Sequence, residues 1–341
     1  MIYFNSDYLE GAHPAIMERL MQTNMEQTVG YGEDEYCAAA REKIKAACQA
    51  PDADVHFLVG GTLTNTTVIA SILRPYQGVL SATSGHINCH ETGAIEATGH
   101  KVCVETSPDG KVTPAMVEAV LARHDGTEHM VSPKMVYISD TTEIGTVYTK
   151  AELTALRDCC KKHDLYFYID GARLGTALTW PGNDVELTDL AELADGFYIG
   201  GTKLGALFGE ALVILDNRIN DHFRYMVKRA CALLAKGRLI AVQMQALLAG
   251  GKNSLYYQLA RHENEMAIKL AKGVTDAGYQ LWIPHQTNQV FVIMNNDKIA
   301  ELEKEFFFYT WCPYDDHRSV IRLVTNWNTQ ESEVDALLRA L

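Results

Sequence analysis

The chain has 341 residues, of which 47% are hydrophobic and 21% charged, and its formal net charge is −13. An acidic chain repels phosphate backbones and anionic lipid, so nucleic acid and membrane surfaces are excluded as predicted partners. No apolar run approaches the roughly 18 residues of a membrane helix, and the first six residues lack a secretory pattern. Eight cysteines without CxxC spacing predict free thiols in a reducing cytoplasm.

The first two thirds of the chain alternate apolar runs with stretches of helical periodicity. After an N-terminal segment that turns helical before about residue 48, apolar runs predict strands at 54–60, 134–139, 165–169, 196–199 and 211–215. Helices are predicted at 64–73 and 150–163. Continuous apolar strands separated by helices are typical of a mainly parallel sheet that is covered on both faces.

A second, smaller domain is predicted to follow. Residues 217–249 have a helical pattern and bridge the two parts. The later elements are a helix at 258–277, strands at 289–294 and 319–325, and an amphipathic helix at 331–341. We therefore expect a large domain over residues 1–248, with the N-terminal segment, and a small α+β domain over residues 249–341.

Ligands of open α/β sheets lie beyond the carboxyl ends of the strands, so we considered the residues that follow each predicted strand. Gly60, Gly61 and Thr62 follow the first strand and open a helix. Glycines let the backbone approach a ligand closely, and a helix N-terminus favours an anion. Neither GxGxxG nor GK[ST] is present, so a phosphate group is favoured over NAD or ATP, and a plain strand-to-helix turn is the alternative.

Two charged residues follow later strands. Asp170 comes directly after the run 165–169, where a carboxylate is costly unless it is paired. A protonated pyridine nitrogen would pair with it, and a turn-capping aspartate is the alternative. Lys203 follows the run 196–199 in the sequence GGTK, the sheltered kind of position that imine-forming lysines need. An ordinary surface lysine is the alternative there.

A histidine pair lies between these positions. His86 and His90 have i,i+4 spacing, with Cys89 and Glu91 beside them. The spacing departs from HExxH and no second cluster of ligands completes it, so we predict no metal site. For His86 we favour an imidazole that stacks on an aromatic cofactor, and a buried, hydrogen-bonded histidine is the alternative.

These residues place an anion site, a histidine, a carboxylate and an imine-forming lysine, in that order, on the strand ends of one sheet. Pyridoxal 5′-phosphate (PLP) needs a phosphate site, a group that stacks on its ring, a partner for its pyridine nitrogen and a lysine. The sequence therefore predicts a PLP site.

With these residues the chain resembles the low-specificity L-threonine aldolases, within the aromatic amino-acid β-eliminating lyase superfamily. The shared motifs cover nearly the whole chain in the family's order. They are NSD at 5–7, YGED at 31–34, GGT at 60–62, His86 with ETGA at 91–94, DGARL at 170–174, Lys203 and IRLVT at 321–325. The resemblance implies the PLP-dependent transferase fold of the aspartate aminotransferase type, fold type I.

The resemblance also implies roles for single residues. Lys203 would hold PLP as an imine, Asp170 would pair with the pyridine nitrogen, and His86 would stack on the ring. The rest of the cofactor site would be Gly60, Gly61, Thr62 and Arg173. The residues that bind the substrate, mainly its α-carboxylate, would be Ser6, Tyr31, Arg173 and Arg322.

Homotetramers built from dimers are usual in the family, with active sites that take residues from two subunits. Tyr31 and the basic residues of 228–238 are the expected contribution to a neighbour, and a solvated helix face is the alternative for the basic stretch. These basic residues are Lys228, Arg229, Lys236 and Arg238.

The predicted reaction is retro-aldol cleavage of L-threonine or L-allo-threonine to glycine and an aldehyde. The family's Thr-His-Asn motif, whose histidine is associated with the substrate hydroxyl, is replaced here by Thr142-Glu143-Ile144. The base of the aldol step therefore stays open between His86, Glu143 and an ordered water. β-Elimination of another amino acid, and PLP binding without turnover, are the alternative functions.

Overall fold

The computed structural model describes residues 1–124 and 126–341. The strands of this part of the chain are β1 (Ile2–Tyr3), β2 (Asp54–Leu58), β3 (Gln77–Ala82), β4 (Val102–Glu105), β5 (Ser132–Ser139), β6 (Tyr166–Asp170), β7 (Gly196–Gly200), β8 (Glu210–Ile214), β9 (Gln280–Leu281), β10 (Gln289–Asn295), β11 (Phe306–Phe307), β12 (Tyr309–Pro313) and β13 (Arg318–Val324).

The α-helices are α1 (Pro14–Thr23), α2 (Glu35–Cys48), α3 (Gly61–Ile72), α4 (His86–Cys89), α5 (Pro114–Arg123), α6 (Lys150–Lys162), α7 (Leu174–Thr179), α8 (Leu187–Leu193), α9 (Asn217–Asn220), α10 (Phe223–Arg229), α11 (Arg238–Leu248), α12 (Leu255–Asp276), α13 (Asn296–Leu302) and α14 (Glu331–Ala340). Among the described residues, none of these helices is long and apolar enough to cross a membrane.

The larger sheet has seven strands in the order β2-β8-β7-β6-β5-β3-β4. Strands β7, β6, β5, β3 and β4 run parallel to one another, and β8 is antiparallel to both of its neighbours. The prediction of a mainly parallel sheet is therefore confirmed. The five predicted strands of this part are all present, with ends that differ by one or two residues.

The smaller sheet is antiparallel, with the order β12-β13-β10-β9, and α12 and α14 pack near it. Strand β1 forms a separate parallel pair with β11, so the chain's first residues lie beside this C-terminal part. This pairing brings the NSD motif, residues 5–7, close to β13. The stretch 217–249, predicted to be helical, forms three helices, α9 to α11, which are separated by turns.

Alternation along the strands divides the core of the large sheet into two layers. Val136 and Phe167 belong to one apolar cluster, whereas Tyr137, Tyr168 and Tyr198 belong to the cluster on the opposite face. Both faces are covered, which explains why these strands are apolar throughout rather than at every second position. Asp170 lies two residues after Tyr168, so it projects from the tyrosine face at the carboxyl end of β6.

Candidate active site

A cavity of about 450 Å³ opens between the carboxyl ends of the large sheet and strands β12 and β13. We call it the active-site cavity. The residues that line it are Tyr8, His86, His90, Glu143, Arg173, Lys203, Tyr309, Thr310, Trp311 and Arg322. Another cavity, of about 500 Å³, lies beside α8 and α12, but two of its charged groups, Lys252 and Glu186, pair with each other. We therefore consider the active-site cavity first.

Asp170 is buried behind the active-site cavity and is surrounded by neutral hydrogen-bond donors. Its Oδ2 accepts from Tyr137 Oη at 2.6 Å and from Asn65 Nδ2 at 2.8 Å, and its Oδ1 accepts from Tyr198 Oη. Burial alone raises the pKa of Asp170, but the charge of His86 and these three hydrogen bonds outweigh it, so the pKa lies below its ordinary value. Asp170 is therefore a carboxylate held ionised without a bonded cation among the described residues.

Asp170 also contacts the turn that follows it. Its Oδ1 accepts from the backbone N–H of Ala172 at 3.0 Å. The turn-capping contact that the sequence offered as an alternative is thus present beside the buried network. An aspartate that only caps a turn does not need three further hydrogen-bond donors. The additional donors keep Asp170 charged, which favours a second role beside a positively charged group.

A polar relay connects Asp170 to His86. Asn65 Nδ2 lies 2.8 Å from Glu91 Oε1, and that oxygen lies 2.8 Å from His86 Nδ1. Glu91 is buried, and its other carboxylate oxygen has no hydrogen-bond partner among the described residues. The relay fixes the orientation of the His86 ring at the wall of the active-site cavity.

Lys203 follows β7 in a short loop, where Thr202 Oγ1 donates to Glu210 Oε1 at 2.7 Å and Gly201 N–H donates to Glu210 Oε2 at 2.9 Å. Burial and the neighbouring Arg173 lower the pKa of Lys203. Burial raises the pKa of Glu210 to about 7. An amine with a lowered pKa is neutral more often at neutral pH and so can attack a carbonyl group.

Arg173 forms a buried, two-point ion pair with Asp7. Its Nε and Nη2 donate to the two Asp7 oxygens at 2.6 and 3.0 Å, and Asn288 Nδ2 donates to Asp7 at 2.9 Å. Burial raises the pKa of Asp7, but Arg173 and Lys203 outweigh it and bring the pKa down to about 2. Most of the Arg173 fork is therefore engaged inside the protein.

Arg322, on β13, is less occupied than Arg173. Its Nη2 donates to the backbone oxygen of Asn5 at 3.2 Å, and its guanidinium lies over the rings of Tyr309 and Trp311 at 5.6 and 5.2 Å. Its Nε is buried without a partner among the described residues. The Oγ of Ser6 is likewise buried and unpartnered. The N-terminal segment and β13 thus leave unsatisfied polar atoms near the active-site cavity.

Gly60 and Gly61 form the start of α3 beyond the end of β2. A Cβ at Gly61 would lie 2.7 Å from the Tyr198 hydroxyl, which itself bonds Asp170, so a larger residue would disturb that network. Thr62, in the first turn, is exposed. The N-terminal N–H groups of α3 therefore face an open region at the strand ends.

The sequence model of the family described as beta-eliminating lyase matches residues 4–297. The chain belongs to the beta-eliminating lyase family. Low specificity L-threonine aldolase from a Pseudomonas species is 31% identical over 98% of this chain and 95% of that protein. The same enzyme name is carried by a Pseudomonas aeruginosa protein that is 29% identical over 98% of this chain and 96% of its own length.

Two solved structures resemble the chain, one closely in sequence and one in fold alone. Threonine aldolase from Leishmania major is 45% identical, with a TM-score of 0.97 over 99% of this chain and 98% of that one. Thermus thermophilus aspartate aminotransferase is only 15% identical, with a TM-score of 0.73 over 100% of this chain and 90% of that one. The second likeness confirms the predicted aspartate aminotransferase fold.

Three of the features that the sequence analysis assigned to PLP have the chemistry that this cofactor needs. Asp170 offers a carboxylate without a bonded cation, Lys203 offers an amine with a lowered pKa, and α3 begins at a glycine pair. The predicted residue Tyr31 lies apart from this group. It does not line the active-site cavity, and its ring contacts Lys228 Nζ at 4.8 Å instead.

Several residues of the site had no signal in the sequence analysis. Three of them donate hydrogen bonds to Asp170 from separate elements of the chain: Tyr137, Tyr198 and Asn65. Trp311, on β12, closes the active-site cavity from the C-terminal part. Alternation along β5 and β7 could have placed the two tyrosines on the face of Asp170, had the strand ends been known.

Proposed function

We propose that this protein cleaves β-hydroxy-α-amino acids, threonine or allo-threonine, to glycine and an aldehyde with PLP as its cofactor. The observation that carries the proposal is a single cavity of about 450 Å³ that joins Lys203, the two arginines Arg173 and Arg322, and His86, with Asp170 behind it. The threonine aldolases among its relatives, one of them 45% identical, support the same reaction.

The roles proposed for the cofactor site follow from charge and position. PLP, when bound, accepts the electron pair of a bond broken at the substrate's α-carbon. Lys203 would hold it covalently, and the Asp170 carboxylate would keep its pyridine nitrogen protonated. His86 would cover the ring, and Gly60, Gly61 and Thr62 would hold the phosphate.

The substrate's α-carboxylate is proposed to bind at Arg322, with Ser6 and Arg173 beside it. Arg322 retains an unpartnered Nε and a planar fork, and Ser6 has an unpartnered hydroxyl. Arg173 is held by Asp7, so we assign it mainly to the shape of the site. A planar fork fixes a carboxylate in one orientation, which decides which bond at the α-carbon is broken.

One assay separates this proposal from its alternatives. Purified protein with PLP is incubated with a panel of β-hydroxy amino acids, and glycine and aldehyde are quantified together. Equal amounts of the two products are expected, and borohydride should fix the cofactor's mass on the peptide that contains Lys203. Ammonia and a keto acid in place of glycine would indicate β-elimination. Spectral change without product would indicate binding without turnover.

We further propose that the protein works as a homo-oligomer, a dimer of dimers. Several large apolar side chains of the N-terminal region are exposed, and such surface is commonly buried between subunits. They include Met17, Met21, Met25 and Val29. Tyr31 and Lys228 are proposed to reach the neighbouring active site. Sedimentation at assay concentration should give a dimer or tetramer, and an active monomer would contradict this proposal.

The proposed compartment is the cytoplasm. All eight cysteines are free thiols, and five of them are buried. Burial raises the pKa of several of these thiols, for example that of Cys48 to about 12, so they are unreactive. Free, buried thiols suit a reducing environment.

A further inference from the structure

His90 lies on the wall of the active-site cavity without an assigned role. It follows the last residue of α4, and its ring centroid lies 5.6 Å from that of His86 and 6.0 Å from that of Trp311. The side chain is partly exposed and lines the cavity. Its imidazole therefore stands between the large sheet and strand β12, where a bound substrate can reach it.

Two other candidate bases of the cavity wall are each tied to neighbouring groups through one atom. His86 Nδ1 is bonded to Glu91, and Glu143 Oε1 accepts from His86 N–H at 2.8 Å and from Ser139 Oγ at 2.5 Å. Burial raises the pKa of Glu143. For His90, in contrast, neither ring nitrogen has a hydrogen bond to the described residues.

Partial burial of His90 and the positive charges around it both favour the neutral form of its ring. Burial lowers its pKa first, followed by the positive charges of His86, Arg322, Arg173 and Lys203, so its pKa lies below the ordinary value of 6.5. A neutral imidazole at neutral pH has a lone pair with which to accept a proton.

We propose that His90 is the base that takes the proton of the substrate's β-hydroxyl group. This inference rests on the proposed function. As the ring nitrogen binds the proton, the O–H electrons form the carbonyl bond of the leaving aldehyde. The Cα–Cβ bond would break at the same time, and its electron pair would be taken up by PLP when that cofactor is bound. The pair later returns to Cα with one proton, which gives glycine, and His90 loses its proton, so no proton is gained or lost overall.

The position of His90 also bears on the loop after β5. The motif that carries a histidine in the resembling family reads Thr142-Glu143-Ile144 here, and Glu143 is engaged in holding the backbone of His86. His90, four residues after His86, offers an imidazole to the same cavity from a position outside that loop. The aldol step would therefore keep its chemistry while its base moves to the residue that follows α4.

The test compares His90→Phe and His90→Asn with wild type and with His129→Phe, a change at an exposed histidine outside the cavity. Phenylalanine keeps a ring beside Trp311 but cannot accept a proton. We expect kcat for aldehyde release to fall about 10²- to 10⁴-fold in both His90 variants, the usual contribution of a general base. Glycine, which has no β-hydroxyl, should still bind with nearly wild-type affinity, as followed by cofactor absorbance.

A second measurement does not depend on turnover. Diethyl pyrocarbonate modifies neutral imidazole, and mass spectrometry of the peptide that contains His90 gives its modification rate against pH in the cofactor-loaded enzyme. The rate should titrate with a midpoint below 6.5, and serine should protect His90 but not His129.

The outcomes separate two failures. A wild-type enzyme that releases aldehyde together with a His90→Phe variant of similar kcat would overturn the role of His90 alone. Unprotected modification of His90 in the presence of serine would do the same. A wild-type protein that releases no aldehyde from any β-hydroxy amino acid would overturn the proposed function, and this inference with it.

Discussion

Two buried carboxylates beside the active-site cavity, Asp170 and Asp7, keep their negative charges by different means. Asp170 is bonded to two tyrosine hydroxyls, an amide and a backbone N–H, all of them neutral. Asp7 is bonded to the guanidinium of Arg173 and to the amide of Asn288. Both pKa values lie below the ordinary value in spite of burial. Neutral donors stabilise a carboxylate without cancelling its charge, whereas an arginine cancels it.

This difference in partners makes Asp170 suitable for binding a cation, whereas Asp7 is part of a structural ion pair. Asp170 retains a charge that a protonated ring nitrogen can use, which is what an electron-accepting cofactor requires. Asp7 instead neutralises Arg173 and leaves Arg322 as the arginine of the cavity that has no carboxylate partner among the described residues.

Replacing Asp170 by Asn should have the largest effect. The amide cannot hold a pyridine nitrogen protonated, so we expect kcat to fall at least about 10²-fold while the fold is kept. Steady-state kinetics and circular dichroism would measure both. If turnover were close to wild type, Asp170 would be a turn cap only.

Asp195 offers a matched control for that change. It is also a buried aspartate and lies directly before β7, but it pairs with Arg157 at 2.7 Å and does not line the active-site cavity. Asp195→Asn should therefore lower stability and leave kcat near wild type. The two variants together separate the loss of a charge used in chemistry from the loss of a buried ion pair.

Features that depend on residues close together in the sequence could be predicted, whereas contacts between distant elements could not. Strands β5, β6 and β7 were predictable because they are continuous apolar runs. The rule that ligands lie beyond the carboxyl ends of strands selected Asp170 and Lys203. Strands β3 and β4 were missed, since the apolar run of β3 is interrupted by glycine and serine, and β4 has only four residues. The donors to Asp170 were missed because three separate elements supply them, and no local pattern marks such a meeting. The roles of the selected residues remain predictions.

The Asp7–Arg173 pair predicts a pH dependence of stability. A folded-state pKa of about 2, against an ordinary value of 3.8, means that Asp7 stabilises the fold fully above about pH 4. That contribution, about 2 kcal/mol, is lost as the pH falls through 2, because protonation removes the charge facing Arg173. Urea unfolding of wild type and Asp7→Asn from pH 6 to pH 2 should show a stability difference that shrinks by this amount.

An exposed carboxylate tests whether burial is responsible for this pH dependence of stability. Asp315 is paired with Arg318 at the surface, and Asp315→Asn should give no comparable change with pH. A difference between wild type and Asp7→Asn that stays constant over the whole range would contradict the assignment of the low pKa to Asp7.

Arg322→Lys should give the smallest effect and the most specific one. Lysine keeps the positive charge but loses the planar fork, so it can attract a carboxylate without fixing its plane. We expect KM to rise and kcat to fall, each by about tenfold or less, because a tilted substrate presents the Cα–Cβ bond poorly to the cofactor. The cofactor's own absorbance should not change, since Arg322 contacts Asn5, Tyr309 and Trp311 rather than Asp170 or Lys203. Arg318→Lys on the same strand is the control, as Arg318 pairs with Asp315 outside the cavity. Equal constants for the two variants would mean that the substrate's carboxylate binds elsewhere, with Arg173 as the remaining arginine of the cavity.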